Sequence, residues 1–191
     1  GWIVGNAGTI LFTADGGTTW IQQSSNTGAN LMGVCFTDLL HGWVAGGSWE
    51  PEGGIVINTS DGGLTWDIQL FHEEVLNDIY FMDTLEGWVV GYSNTILHTQ
   101  DGGINWNQAP APTIEIVQDV IFVNDLVGYI GGTDVVLGDF FLSIIKTSDG
   151  GQSWQQMTHW SDYFFSNVFF YDETLGWFTG SYEQIAPGGN T

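Results

Sequence analysis

The feature that most constrains this chain is an eight-residue motif that occurs four times. Each copy reads Thr-x-Asp-Gly-Gly-x-x-Trp, and the copies begin at Thr13, Thr59, Thr99 and Thr147. The Asp-Gly-Gly segment predicts a hairpin turn, because the Asp side chain accepts hydrogen bonds from turn amides and the glycines adopt positive φ without steric cost. The chain therefore has to place the same hairpin at four equivalent points of its fold.

The repeated Asp and Trp of these motifs are interpreted as structural residues. An Asp at one turn position in every repeat is a device of the fold, and the Trp that begins the next strand is large enough to cover the hairpin. We predict that the four Trp residues occupy equivalent, largely buried positions. The structural set is Asp15, Trp20, Asp61, Trp66, Asp101, Trp106, Asp149 and Trp154.

Two further signals alternate with this motif. A Gly-aromatic pair begins a short apolar run at Gly1, Gly42, Gly87, Gly128 and Gly176, with spacings of 41, 45, 41 and 48 residues. A Phe lies six residues before the last four of these glycines, at Phe36, Phe81, Phe122 and Phe170. A period of this length is typical of a four-stranded propeller blade. We interpret the repeated Phe and the aromatic residue after Gly as core residues packed between blades.

The sequence therefore predicts an all-β fold, a β-propeller of four-stranded antiparallel blades with almost no helix. The blade repeats run approximately over residues 1–30 (partial), 31–74, 75–115, 116–163 and 164–191 (partial), so that 1–191 is a single propeller fragment of about four blades. The strand expected at 176–180 duplicates the one at 1–5, which a closed four-bladed ring does not accommodate. We expect an open arc of a ring with roughly six to eight blades, completed by missing blades or by self-association across the open edges.

The charge of the chain excludes several classes of partner. Asp and Glu total 22, Lys146 is the one basic residue, and the net charge is −21. Such a surface repels phosphate backbones and anionic lipid, so neither nucleic-acid binding nor peripheral membrane binding is expected. No apolar run reaches the roughly 18 residues of a membrane span, so membrane insertion is not expected either.

The repeats resemble the BNR or Asp-box repeats of sialidases, seven-bladed xyloglucanases and sortilin-type receptors. The combination of an Asp or Asn in strand one, Phe-x-Asp, Gly-Trp-x-Val-Gly and the Asp-Gly-Gly motif is most similar to the photosystem II assembly-factor propeller family, with the best match over residues 1–20. This resemblance implies a seven-bladed propeller. It also implies a role in assembling the photosystem reaction centre for photosynthetic members, whereas many relatives are secreted bacterial proteins.

The absence of Arg separates this chain from two of these groups. Photosynthetic members of the assembly-factor family carry an arginine-rich face implicated in partner binding, and sialidases hold the substrate carboxylate with an arginine triad. No other side chain supplies the planar bidentate fork of the guanidinium group. Sialidase activity is therefore excluded, and we predict no catalytic residues and no enzyme activity.

The candidate ligand-binding residues lie in loops that a propeller brings to one face. Loops that join strand four to strand one, and strand two to strand three, share that face, and they hold the irregular parts of this sequence. Aromatic rings beside carboxylates suit the binding of a sugar or a peptide. The candidates are Trp49, Glu50, Glu52, His72, Glu73, Trp160, Asp162 and Tyr163. Alternatively, Trp49 and Trp160 fold back over the tops of the blades.

Two chemical alternatives use the same loops. A glycosidase needs two carboxyl groups roughly 5 to 10 Å apart, which these loops could supply. A Ca²⁺ ion could bind there, although the Asp-x-Asp-x-Asp-Gly spacing is absent. The carboxylates concerned are Glu50, Glu52, Glu73, Glu74, Asp134 and Asp139. We expect no metal site and no cofactor, with Ca²⁺ as the alternative.

The sequence as a whole favours a non-catalytic binding or scaffolding module of a secreted or cell-surface protein, with a glycan or a protein as ligand. Three alternatives stay open: a structural subunit of an extracellular assembly, a glycoside hydrolase fragment, and a chaperone like the photosystem II assembly factors. The expected location is extracellular or at the cell surface, with the periplasm or the thylakoid lumen as the alternative.

Overall fold

The computed structural model describes residues 1–50, 52–161 and 163–182, and only the backbone of residues 52, 158, 159 and 182. Within these ranges the chain forms 17 β-strands and no helix. Every strand pairs antiparallel with its neighbour in sequence. Among the described residues, therefore, no helix is long and apolar enough to cross a lipid bilayer.

The strands form five consecutive sheets, three of which are complete four-stranded blades. The first sheet has three strands: β1 (Trp2–Gly5), β2 (Thr9–Phe12) and β3 (Ile21–Ser24). Blade 1 has β4 (Asn30–Phe36), β5 (Gly42–Trp49), β6 (Glu52–Thr59) and β7 (Asp67–His72). Blade 2 has β8 (Leu76–Phe81), β9 (Gly87–Gly91), β10 (Ile96–Thr99) and β11 (Asn107–Gln108). Blade 3 has β12 (Ile116–Phe122), β13 (Gly128–Val136), β14 (Asp139–Thr147) and β15 (Gln155–Ser161). The last sheet has β16 (Tyr163–Phe170) and β17 (Gly176–Tyr182). The predicted all-β architecture of four-stranded antiparallel blades, covering part of a ring, is confirmed.

The Asp-box turn is held by the repeated Asp and Thr side chains, as the turn between β6 and β7 shows. The Asp61 carboxylate accepts hydrogen bonds from the Thr59 hydroxyl (2.8 Å), the Thr65 amide (2.9 Å) and the Thr65 hydroxyl (2.7 Å). The Gly63 amide donates to the Thr59 hydroxyl at 2.9 Å, and Gly63 has a φ of 83°. The bonds from Thr65 and Thr59 stabilise the charged carboxylate, so the pKa of Asp61 falls to about 2.

Aromatic stacking joins each sheet to the next. The aromatic residue that follows the repeated Gly in one sheet packs against the repeated Phe of the following sheet. The pairs are Trp2–Phe36, Trp43–Phe81, Trp88–Phe122 and Tyr129–Phe170, with ring centroids 3.5, 3.8, 4.2 and 3.5 Å apart. The interpretation of these residues as core between blades is confirmed for these four pairs, whereas Trp177, which follows the last repeated Gly, is 55% exposed.

The repeated Gly is required by this packing. In blade 2, a Cβ at Gly87 would lie 2.6 Å from the ring of Phe81, which lies across the two inner strands of its own blade. Any side chain there would displace the ring that stacks on Trp43 of the preceding blade. This explains why Gly and an aromatic residue recur together.

One of the four Asp-box Trp residues departs from the predicted burial. Trp66 and Trp154 are buried, with 2% and 6% of their surface exposed, and Trp106 is half-buried, but Trp20 is 40% exposed. In each complete blade the Asp-box Trp packs edge-on against the repeated Phe, as in the Phe36–Trp66 pair. The first sheet has no strand that carries such a Phe. The expectation of four equivalent buried Trp residues is therefore wrong for Trp20.

The inner strands are linked by side chains at a β-bulge. The bulges lie at equivalent positions of β4, β8, β12 and β16. In blade 2 the Asn77 amide group donates to the Val117 carbonyl (2.8 Å), and the Asp78 carboxyl accepts from the Val120 amide (3.1 Å). Gln118 and Asp119 of blade 3 repeat both bonds to the last sheet. The bulge residues thus bind β8 to β12 and β12 to β16.

Candidate functional site

The strand-two-to-strand-three hairpins and the strand-four-to-strand-one connections lie at one end of the blades, which we call the loop face. The Asp-box turns lie at the opposite end, which we call the Asp-box face. The loop face holds the hairpins β5–β6, β9–β10 and β13–β14. The ligand-binding candidates that the structure describes belong to this face or to the strands that end there.

A groove of about 520 Å³ crosses the loop face at blade 1, and we call it the hairpin groove. It lies between the β5–β6 hairpin, the end of β7 and the connection from β3 to β4. Its side chains include Glu50, Phe71 and His72. The structure thus brings the predicted residues Glu50 and His72 into one groove, and it adds Phe71, which is 74% exposed.

Glycines of the β5–β6 hairpin let its backbone lie against the neighbouring connection. A Cβ at Gly54 would lie 2.3 Å from the Glu74 carbonyl, and one at Gly47 would lie 2.5 Å from the Gly53 carbonyl. The hairpin therefore packs closely against the segment that follows β7, and this contact fixes one wall of the groove.

The His72 ring is oriented by the turn that follows it. The Glu74 amide donates to Nδ1 of His72 at 3.1 Å, and the same nitrogen lies 3.3 Å from the Glu74 carbonyl oxygen. Glu73, another predicted residue, is exposed in the same turn. The turn thus presents the imidazole ring of His72 and the carboxylate of Glu73 on adjacent residues.

Trp49 ends strand β5 and lies against blade 2. Its ring meets Tyr92 edge-on, with centroids 4.7 Å apart and an interplanar angle of 82°. Trp49 nevertheless keeps 52% of its surface exposed. It therefore partly folds back over a neighbouring blade and still presents an aromatic surface to solvent.

The remaining aromatic candidates form a separate group. Trp160, Tyr163, Ser161 and Phe178 line a second pocket of about 620 Å³ between blade 3 and the last sheet. The rings of Trp160 and Phe178 lie 5.2 Å apart. Asp162 lies outside the described residues, as does the side chain of Glu52. Four of the sequence candidates therefore line two separate pockets, Glu50 and His72 at blade 1 and Trp160 and Tyr163 at the last sheet.

The carboxylates considered for catalysis or for Ca²⁺ are spread along the loop face. Glu73 and Glu74 follow β7, whereas Asp134 and Asp139 lie in the β13–β14 hairpin, where the Asp134 carboxylate accepts a hydrogen bond from the Val135 amide at 3.1 Å. Across 1–50, 52–161 and 163–182, no group of three or more His, Cys, Asp or Glu side chains is placed to hold a metal ion.

A buried carboxyl pair joins blade 2 to blade 3, and the sequence analysis did not single it out. The side chains of Asp78 and Asp119 are hydrogen-bonded to each other. Burial raises the pKa of both groups, and the bond to Asp119 raises the pKa of Asp78 further, so the pair keeps a proton to a higher pH than an isolated carboxyl group does. The available signal was a polar residue three positions before the repeated Phe in an apolar strand, as at Asp78, Asp119 and Asn167.

Comparison with known proteins identifies the family to which this sequence is similar. Residues 22–113 and 67–158 match the profile of the family described as Photosynthesis system II assembly factor YCF48. Over 93 residues, the chain is 32% identical to the Photosystem II assembly lipoprotein Ycf48 of Synechococcus sp. (strain CC9902). That alignment covers 47% of this chain and 26% of the relative, so it spans about a quarter of the curated protein.

Solved structures with the same fold include assembly factors and enzymes. YCF48 bound to a D1 peptide superposes with a TM-score of 0.51 at 17% identity, covering 95% of this chain and 85% of that one. The GH74 enzyme of Niastella koreensis gives a TM-score of 0.63 at 13% identity, covering 88% of this chain and 29% of that one. At these identities the likeness shows a shared propeller fold.

Proposed function

This chain belongs to the Photosynthesis system II assembly factor YCF48 family, and from that premise we propose that it is a non-catalytic propeller that binds an extended segment of a partner protein on its loop face. The observation that carries the proposal is the hairpin groove, in which the exposed ring of Phe71 lies beside Glu50 and His72. Of the functions considered from the sequence, this is the assembly-factor alternative.

The size and lining of the groove suit peptide side chains. A volume of about 520 Å³ lies within the range of small-ligand sites, and an exposed aromatic ring beside polar groups is a typical anchor for a protein segment. Trp49 adds a second exposed ring on the adjacent side of the same hairpin. The related YCF48 structure holds a D1 peptide, which supports a peptide as the ligand class for this propeller.

The family also bears on enzyme activity and on location. The proteins of the matching family are assembly factors, whereas the similarity to GH74 enzymes is a similarity of fold. Both findings support a binding role rather than glycoside hydrolysis. The curated relative is a lipoprotein. This supports the periplasm or the thylakoid lumen, the alternative location, over the extracellular medium.

The proposal is tested by measuring peptide binding to groove variants. A library of extended peptides of about 12 residues, roughly 40 Å long, is screened by fluorescence anisotropy. Phe71→Ala and Trp49→Ala should each weaken the best binder at least tenfold, which is about 1.4 kcal/mol. Ile104→Ala removes an equally exposed apolar side chain from the Asp-box face and should change affinity less than about twofold.

Two outcomes would contradict the proposal. Equal loss of binding in Ile104→Ala would show that the peptides adhere to exposed apolar surface in general. Binding of oligosaccharides on a glycan array, with no peptide bound, would assign the loop face to sugars instead. Circular dichroism melting of each variant verifies that a loss of affinity does not reflect unfolding.

A further inference from the structure

We propose that the segment bound by this chain is cationic, and that from the hairpin groove it continues past Glu50 across blade 2, in a trough between the hairpins of blades 1 and 3. This inference rests on the proposed function and specifies the chemistry of its ligand. It is carried by the unequal lengths of three neighbouring hairpins, by the exposed apolar side chains at their ends, and by the placement of charge.

The trough follows from strand lengths. Strands β5, β9 and β13 begin at equivalent glycines, but they contain 8, 5 and 9 residues. At about 3.3 Å per residue, β5 and β13 run roughly 10 to 13 Å further toward the loop face than β9. The low turn of blade 2 is therefore flanked by two taller hairpins. We call this the blade 2 trough: Trp49 and Glu50 on one side, residues 92–94 and Glu115 at the base, and residues 135–139 on the other side.

Hydrogen bonds hold the base of the trough in place. The Asn94 amide donates to the Glu115 carbonyl (3.2 Å), and the Asn94 side chain accepts from the Ile114 amide (3.0 Å). Gln108 donates from its side chain to the Asn94 carbonyl at 2.9 Å. The turn is thus tied to the connection between blades 2 and 3, so a ligand would meet a surface that needs little reordering.

Apolar side chains stand at both sides of the trough. Trp49 leans on Tyr92 and is half exposed. On the far side, Leu137 and Gly138 both have positive φ and form a tight two-residue hairpin turn, and the Leu137 side chain is fully exposed at its tip. Val135 and Val136 beside it are also exposed. Exposed apolar groups at the ends of ordered hairpins mark a contact surface.

The charge around the trough has one sign. The Glu50, Glu115 and Asp139 side chains are exposed on its two sides and its base. The single basic side chain, Lys146, lies toward the Asp-box end of β14, where its Nζ is 5.1 Å from the ring centroid of Tyr129. No cation of the protein therefore offsets the carboxylates of the trough. A segment with Lys or Arg side chains complements this potential, and a flat aromatic ring adds cation–π contact.

Charge also argues against other occupants. A second copy of the chain carries the same net charge of −21 and would be repelled. An acidic segment or an anionic lipid surface would be repelled for the same reason. A cationic extended peptide is the occupant that both the apolar sides and the carboxylates favour.

The test uses three labelled peptides of about 12 residues, in which Val alternates with Lys, Gln or Glu. The three peptides differ in the charge of every second side chain, which is positive, neutral or negative. In fluorescence anisotropy the Lys peptide should bind at least tenfold more tightly than the Gln peptide, and the Glu peptide should not bind. Added salt should weaken the Lys complex, because exposed charges are screened. Glu50→Gln combined with Asp139→Asn should weaken it about tenfold.

The matched control is Asp67→Asn combined with Asp125→Asn. It removes the same charge from exposed positions at the Asp-box end of the blades, and it should change affinity less than about twofold. An equal loss of affinity in this control would overturn the inference, because the affinity would then depend on the net charge of the protein and not on the carboxylates of the trough. Equal binding of all three peptides, with loss in Phe71→Ala, would also overturn it and leave the proposed function intact. Failure of every peptide to bind would count against the proposed function itself.

Discussion

The Asp78–Asp119 pair predicts that the stability of this protein falls as the pH rises toward neutrality. Burial and the shared hydrogen bond raise the pKa of Asp78, so the folded chain holds a proton that the unfolded chain releases near pH 3.9. A group whose pKa is raised by folding stabilises the folded state when the pH is below its pKa in the unfolded chain. That contribution is lost as the pH rises through its pKa in the folded chain. Asp15 and Asp61 act in the opposite sense: their pKa values fall to about 2, so their contribution is lost as the solution becomes more acidic.

Replacing Asp78 by Asn isolates this effect. An Asn side chain keeps an acceptor for the Val120 amide, which lies 3.1 Å from the Asp78 carboxyl, and its amide group can donate to Asp119. It therefore imitates protonated Asp78 at every pH. While the native pair holds one more proton than the unfolded chain, the free energy of unfolding of the wild type falls by about 1.4 kcal/mol per pH unit. Asp78→Asn should lose this slope and exceed the wild type in stability above the raised pKa.

Urea denaturation followed by Trp fluorescence, between about pH 4.5 and pH 8, measures this slope. Asp125→Asn serves as the control, because it removes one carboxylate from an exposed turn and should retain the wild-type slope. If Asp78→Asn loses stability with pH as steeply as the wild type, the pair does not hold the extra proton and the argument fails.

Three further predictions concern the repeated residues. Phe81→Ala should lower the free energy of unfolding by about 3–5 kcal/mol in urea denaturation, because a buried ring is lost. The control Phe71→Ala removes an exposed ring and should have almost no effect. Similar losses in both variants would contradict the role of Phe81 in the packing between blades. Gly87→Ala should cost about 1–3 kcal/mol, since its Cβ meets the Phe81 ring at 2.6 Å, while Gly28→Ala, with open space, should retain the wild-type Tm. Asp101→Ala should lower the Tm without affecting peptide binding at the loop face; selective loss of binding would reveal a site at the turn.

The fold could be predicted because its determinants are local and repeated. The hydrogen bonds of Asp61 reach two and four residues along the chain, so the Asp-Gly-Gly segment specifies its own turn. The repeated Phe and the Gly-aromatic pair lie at a constant separation within each blade. This regular spacing was enough to predict that these aromatic rings pack between blades. Trp20 departs because its burial depends on a strand that its own sheet does not contain.

The site was less predictable because it depends on residues that are not repeated. The sequence identified Trp49 and Glu50, but the height of their hairpin depends on how far β5 and β6 remain paired beyond the common core. Phe71 was not among the predicted residues because its exposure depends on how the end of β7 lies beside the hairpin groove, which the repeats do not specify. The Asp78–Asp119 bond joins strands of different sheets. The pattern within one blade marks a polar residue three positions before the repeated Phe, but it does not identify that residue's partner in the next blade.

Membership of the family and an acidic loop face are compatible, because contacts that join the blades are made by side chains outside the loop face. Trp43 stacks on Phe81 and donates its indole N–H to the Gly102 carbonyl at 3.2 Å, and the Gln69 side chain donates to the same carbonyl at 2.9 Å. These contacts hold the scaffold whatever the charge of the loop face. Substitutions among the exposed side chains of the loop face therefore cost little folding stability, and the ligand of one family member does not carry over to another by fold alone. The partner has to be argued from the loop face itself, and in this chain the loop face is acidic.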